Sequence, residues 1–459
     1  MQSERGRSMK AKVLMAASAS ASRMTASLFA LLALSFLFVA TFVQNSQAIE
    51  IQEVKSPGGI TAWLVEDYTV PIIALNFAFA GGSSQDSDAK LGVTNLLSTM
   101  LDEGAGDLDS QAFQGRLEDL TMSLSFSSGR DFFYGSFQSL QANKDHTFEM
   151  LRLAVNEPRF DNDPLERMKA QTISGIRRSL KRPDALAGLN LSKTIFPDHP
   201  YGRPSRGTED TVAKLTSDDL KTQRAKIFAK DSLKIGVVGA ISADELASVL
   251  DKVFADLPEN GDLAAIPNVE PVTDKAVHVD FESPQTSIQF ALPGYERHDP
   301  KFMSAFVMNH ILGGGSFSSW LYDEIREQRG LAYSVGSYLV PYKHAALLMG
   351  STGTRSDKAG EAIDIIKKQM VRMAQTGPTP AELEEAKSYL TGNYALNFDS
   401  SSSIARQLTG IQTQELGIDY IDKRNEMVEA VTLEGVREVA QDMFDGIEPT
   451  FVTVGKPLN

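Results

Sequence analysis

Arg326 and Tyr333, seven positions apart, offer a cation and a phenol that could both donate hydrogen bonds to one oxygen. A guanidinium brings a permanent cation with a fork of N–H donors, and a phenol brings one O–H donor. Groups of this kind stabilise negative charge on an oxygen. They stand in the segment Gly313-Gly314-Gly315-Ser316-Phe317-Ser318-Ser319-Trp320-Leu321-Tyr322-Asp323-Glu324-Ile325-Arg326-Glu327-Gln328-Arg329-Gly330-Leu331-Ala332-Tyr333-Ser334-Val335. It reads as a glycine turn, a short helix capped by Ser316 or Ser318, and then a strand. Gly330 can end the helix in a left-handed turn, so that the chain doubles back and both side chains can point toward one cleft. Taken singly, each has a plainer reading: a solvated arginine near a helix C-terminus, and a tyrosine in a strand. Gly313, Gly314 and Gly315 read either as a tight turn or as a loop that lets a peptide pass close to the backbone. No Gly-Lys-Ser/Thr follows, so they are not a phosphate loop.

Other sites are poorer. Val93, Leu96, Leu97, Met100 and Leu101 repeat with helical period, and Asn95, Ser98 and Thr99 share that helix. An amide and two hydroxyls are weak zinc ligands and no base at neutral pH. Asn95, Thr99, Asp102 and Glu103 make a polar face, or an oxygen-rich cation site. The six histidines show no ligand spacing, and Ser400-Ser401-Ser402-Ser403 has no histidine and acid arranged around it, so it reads as a cap or loop. With no cysteine, thiol catalysis, disulfides and cysteine metal sites are all excluded.

The 313–335 segment resembles the C-terminal signature of the pitrilysin/insulinase family, the inverted-motif zinc peptidases that include mitochondrial processing peptidase. The resemblance extends over residues 50–459. It implies that Arg326 and Tyr333 grip substrate beside a zinc ion, with Gly313, Gly314 and Gly315 near the peptide. The family carries H-x-x-E-H on a helix of its N-terminal half. Here Asn95, Ser98 and Thr99 stand in place of His, Glu and His. Where the family has its third ligand, a glutamate, the chain reads Gln171-Thr172-Ile173-Ser174-Gly175-Ile176. Trp320 stands where the family often has arginine, and reads as core or as a partner-facing anchor. The resemblance therefore implies a chain that binds no zinc itself.

The elements around these residues come in two sets. Pro164 and Pro380, Ala170 and Ala386, Thr216 and Thr432, Phe228 and Phe444, and Gly239 and Gly455 all pair at one offset of 216. Each half opens with strand-like runs (60–65 and 73–79; 276–281 and 287–292). Each closes with a Thr-capped helix feeding a strand near 233–239 or 451–455. The expected fold is α+β: two duplicated domains, each a mainly antiparallel sheet with helices on one face. The domains span 49–257 and 273–459, joined by a linker over 258–272.

Arg5, Arg7, Lys10, Lys12 and Arg23 precede an apolar run from Ala26 to Val43, and Ser46-Gln47-Ala48 supplies a cleavage pattern. Residues 1–48 read as an export signal to the periplasm, with an uncleaved membrane anchor as the rival. Its removal would take the formal charge from −14 to −18. That acidity argues against nucleic acid as a partner and suits cationic peptides.

Some members of the family divide the work between two chains, one carrying zinc and the other supplying the arginine and tyrosine. The resemblance implies that this chain is the second kind: a non-catalytic, substrate-binding subunit of an exported heterodimeric zinc endopeptidase, paired with a homologous zinc-bearing subunit and inactive alone. The alternative is a peptide-binding or assembly scaffold of the same fold.

Overall fold

The computed structural model describes residues 50–457; the segment read as an export signal lies outside them. Six strands form the first sheet: β1 (Gln52–Lys55), β2 (Thr61–Glu66), β3 (Ile72–Ala80), β4 (Ser123–Ser128), β5 (Phe132–Leu140) and β6 (Lys234–Gly239). Five form the second: β7 (Ala276–Asp280), β8 (Gln285–Pro293), β9 (Ala332–Pro341), β10 (Ala346–Arg355) and β11 (Thr450–Gly455). The orders are β1-β2-β6-β3-β5-β4 and β7-β11-β8-β10-β9. Without β1 the two orders match strand for strand. The one parallel pair of each sheet also matches, β2 with β6 and β7 with β11.

The duplication reaches single residues. Thr216 and Thr432 each cap a helix, accepting from Asp219 N and Gly435 N. Gly239 and Gly455 each end a strand. Phe77 faces Gly135 across β3 and β5, and Phe290 faces Gly350 across β8 and β10. The ring in each pair lies over the glycine so closely that an added Cβ would stand 2.1 Å from its Cζ.

Alternation along the strands sends residues to two faces. Ile73, Leu75, Phe77 and Phe79 join the first core with that half's own helices, while Ile288, Phe290 and Leu292 join the second core. The opposite face of each sheet carries a helix from the other half, which the sequence did not reveal. The Ser401–Thr413 helix lies on β3 and β6: Thr409 Oγ1 donates to Asn76 O at 2.9 Å and Gln412 Nε2 to Ile235 O at 2.8 Å. Reciprocally, Ala187, Leu191 and Ile195 of the Pro183–Ile195 helix pack with Ala291, Val452 and Val454 of the second sheet. This exchange explains why β3 and β11 are buried on both faces. Residues 258–272 contain no helix or strand, and Val269 N and Val272 N donate to His344 O and Ile195 O at 2.9 Å each.

Candidate functional site

The backbone between Gly313 and Tyr333 departs from one regular helix. A π-helical turn at His310–Gly314 is followed by a 3-10 turn at Ser316–Ser318, one α turn at Trp320–Tyr322 and a second π turn at Asp323–Glu327. Neither Ser316 nor Ser318 caps the helix, contrary to the sequence reading. Ser319 occupies the cap position without a capping hydrogen bond, and the Ser318 hydroxyl turns back to Gly315 O at 3.1 Å. Gly330 does terminate the helix in the left-handed region, at φ +60°, and its N–H donates to Arg326 O at 2.9 Å.

Beyond Gly330 the chain enters β9 through a bulge. The register passes from Ala332 opposite Thr354 to Val335 opposite Thr352, so Tyr333 and Ser334 together oppose Gly353. Thr354 Oγ1 donates to Leu331 O at 2.6 Å and Thr352 Oγ1 to Ser334 O at 2.8 Å, fixing both sides of the bulge. Ala332 and Val335 both stay buried, and Tyr333 is thrown outward with 84% of its surface exposed. Bulges re-aim side chains in this way.

The π turn and the bulge bring Arg326 and Tyr333 together. The guanidinium carbon lies 5.1 Å from the centroid of the Tyr333 ring and 5.1 Å from that of Tyr322. Glu327 is a loose charge partner at 3.8 Å. Neither Arg326 nor Tyr333 lines any of five cavities found on the described surface. Sequence reasoning missed Tyr322 because it reads as an ordinary apolar position of the helix.

The three glycines are constrained by packing. A Cβ on Gly313 would stand 2.4 Å from Ser337 Oγ, one on Gly314 2.8 Å from Asn309 Nδ2, and one on Gly315 2.8 Å from His310 O. Gly313 is buried, while Gly314 is exposed and Gly315 partly so. Trp320 is a core residue and not an anchor for a partner. It is 6% exposed, its indole donates to Glu382 Oε1 at 2.7 Å, and the Arg372 guanidinium carbon stacks 3.8 Å from its ring.

In the first half, the helix expected through Leu101 runs only Val93–Ser98, with Thr99 ending it. The Ser98 hydroxyl donates to Asn95 O at 2.7 Å and the Thr99 hydroxyl to Leu96 O at 2.8 Å. Both are committed to their own backbone, and Asn95 brings only an amide. Among the described residues no group of three or more His, Asp or Glu side chains is placed to hold a metal ion. These residues do not fit a zinc ion. Nor do Asp102 and Glu103 stand free: Asp102 accepts from Gln114, and Glu103 accepts from Ser110 and pairs with Arg167. Ser400 caps the Ser401–Thr413 helix by accepting from Ser403 N.

One buried acid lies beside the Val93–Ser98 helix. Asp86 accepts from Gly92 N at 2.8 Å, Thr94 N at 3.3 Å and the Thr94 hydroxyl at 2.5 Å. Burial nevertheless pushes its carboxyl up to about 6, because desolvation outweighs those hydrogen bonds.

Two family models match the chain, one described as insulinase (peptidase family M16) over residues 63–209 and one as the peptidase M16 inactive domain over 214–390. A protein of Helicobacter pylori named non-peptidase homolog YmxG is 28% identical over 74% of this chain and 78% of its own length. A Bacillus subtilis protein named uncharacterized zinc protease YmxG is 24% identical over 86% of this chain and 96% of its own. The crystal structure of a peptidase M16 inactive domain from Pseudomonas fluorescens superimposes with a TM-score of 0.83 at 29% identity, over 89% of this chain and 98% of that one. A protease structure from Helicobacter pylori shares the fold, with a TM-score of 0.79 at 18% identity over 89% of this chain and all of that one.

Proposed function

The chain belongs to the insulinase (M16) peptidase family, and on that premise we propose that it is the non-catalytic, substrate-binding subunit of a heterodimeric zinc endopeptidase. One contrast carries this reading. The helix at the family's metal position offers an amide and two hydroxyls already bonded to their own backbone, while Arg326 and Tyr333 are held side by side and exposed. A bare scaffold does not require the second feature.

In this mechanism a homologous partner brings the zinc and its activated water. This chain's residues do the rest. Arg326 and Tyr333 hold the scissile carbonyl, and both donate as its oxygen gains charge. Arg326 and Tyr333 stand outside the five cavities described above, which fits a binding cleft completed by the partner. The net charge of −14 favours cationic peptides. Residues 1–48, read as an export signal, extend the proposal to a periplasmic complex.

Co-expression with an exported relative that keeps an intact H-x-x-E-H tests the reading. A heterodimer with one zinc that cleaves peptides is expected, and no cleavage by this chain alone. Stoichiometric zinc and proteolysis in the partner-free chain would overturn it. A second reading, a peptide-binding or assembly scaffold, is favoured by the relative named non-peptidase homolog. It predicts a complex whose turnover ignores substitution of Arg326.

A further inference from the structure

We infer that Tyr322 is a positioning residue: its ring holds the Arg326 guanidinium in the one orientation that serves the substrate. The inference rests on the proposed function and adds a residue that the arginine–tyrosine signature does not contain.

An arginine side chain loses much rotamer freedom when it is fixed, so an arginine that must meet a carbonyl gains from being held beforehand. Arg326 has few groups to hold it. Glu327 is 3.8 Å away, and the Tyr333 ring at 5.1 Å is 84% exposed and can itself swing. The Tyr322 ring is different. It also lies 5.1 Å from the guanidinium carbon, but it is only 5% exposed and belongs to the second core. Phe317, itself exposed, meets it edge-on at 5.0 Å with an interplanar angle of 80°. Tyr322 is thus the buried aromatic wall, and Tyr333 the exposed one. A cation over such a face is held by the ring quadrupole. Arg326 stays one-third exposed between the two rings, able to reach a ligand.

The hydroxyl of Tyr322 separates this role from a polar one. It is buried and has no hydrogen-bond partner, so the ring and not the O–H acts on Arg326. Removing an unsatisfied buried hydroxyl is neutral or stabilising.

The test has two arms. In the chain alone, labelled at arginine and assigned with R326K, the Arg326 Nε–Hε resonance should lie upfield of the exposed-arginine range. Y322F should leave it in place, and Y322L should return it to that range. In the co-expressed complex, Y322L should lower kcat about ten-fold, the worth of one cation–π wall, with KM nearly unchanged. Y322F should match the wild type, and R326A/Y322L should be no slower than R326A. An unshifted wild-type resonance, a shift that survives in Y322L, or undiminished turnover in Y322L would each overturn the inference. If Y322L does not fold, Y333A decides: the upfield shift should survive loss of the exposed Tyr333 ring, and its disappearance would overturn the inference. A complex that never cleaves peptide sinks the proposed function instead, and the resonance arm then reports on Tyr322 alone.

Discussion

The ring of Phe77 closes over Gly135, its registered partner across the first sheet, and Phe290 repeats the arrangement over Gly350 in the second. Only a residue without a side chain fits beneath either ring. G135A or G350A should each cost about 1–3 kcal/mol by overpacking. Denaturant unfolding measures this, and F77L should recover part of the loss in G135A. Equal midpoints for wild type and G135A would contradict the packing described.

The exchanged helix gives a second expectation. A Cβ on Gly236 would stand 2.5 Å from Ala405 O, which is backbone and cannot turn aside. G236A should lift the Ser401–Thr413 helix and speed proteolysis within it. T409V, which removes the bond to Asn76 O, should cost about 1 kcal/mol and leave the helix seated.

Asp86 makes stability depend on pH. Its carboxyl is raised to about 6 in the fold from an ordinary 3.8, so the folded chain holds that proton more tightly than the unfolded chain. The contribution is therefore fully present below about pH 4, declines as pH rises toward 6, and is gone above it. The wild type should lose on the order of 3 kcal/mol relative to D86N across that window. Chemical unfolding of both proteins at pH 4, 5, 6 and 7 gives the difference. A flat difference would mean that Asp86 stays ionised throughout.

For the proposed complex, R326A or Y333F should reduce peptide turnover by about ten- to a thousand-fold, the range for losing one oxyanion donor. Size-exclusion chromatography should show the heterodimer intact in both. Turnover equal to wild type would remove these residues from the chemistry and favour the scaffold.

Much of this was legible in the residues. The strands at β2, β3, β6, β7, β8 and β11 announce themselves by apolar β-branched runs, and the offset of 216 ties the Thr caps and terminal glycines of the two halves together. The left-handed turn at Gly330 follows from glycine's freedom. The helix exchange was not legible. Amphipathic spacing in the Ser401–Thr413 helix says that one face is buried but not against which sheet, and Thr409 meets Asn76 from 333 positions away. The π turn and the bulge were hidden for a similar reason. Each changes the register by one residue without requiring an unusual residue type, so the contact of the Tyr322 ring with Arg326 could not be read from the sequence.

The traded helices also bear on how the chain is made. A ribosome completes the last strand of the first sheet at Gly239, but the helix that covers its outer face is not synthesised until residues 401–413 emerge. The face of β3 and β6 that includes Asn76 and Gly236 therefore gains its cover only from the last quarter of the chain. A chain cut between the halves would lose from each sheet the helix that the other half supplies.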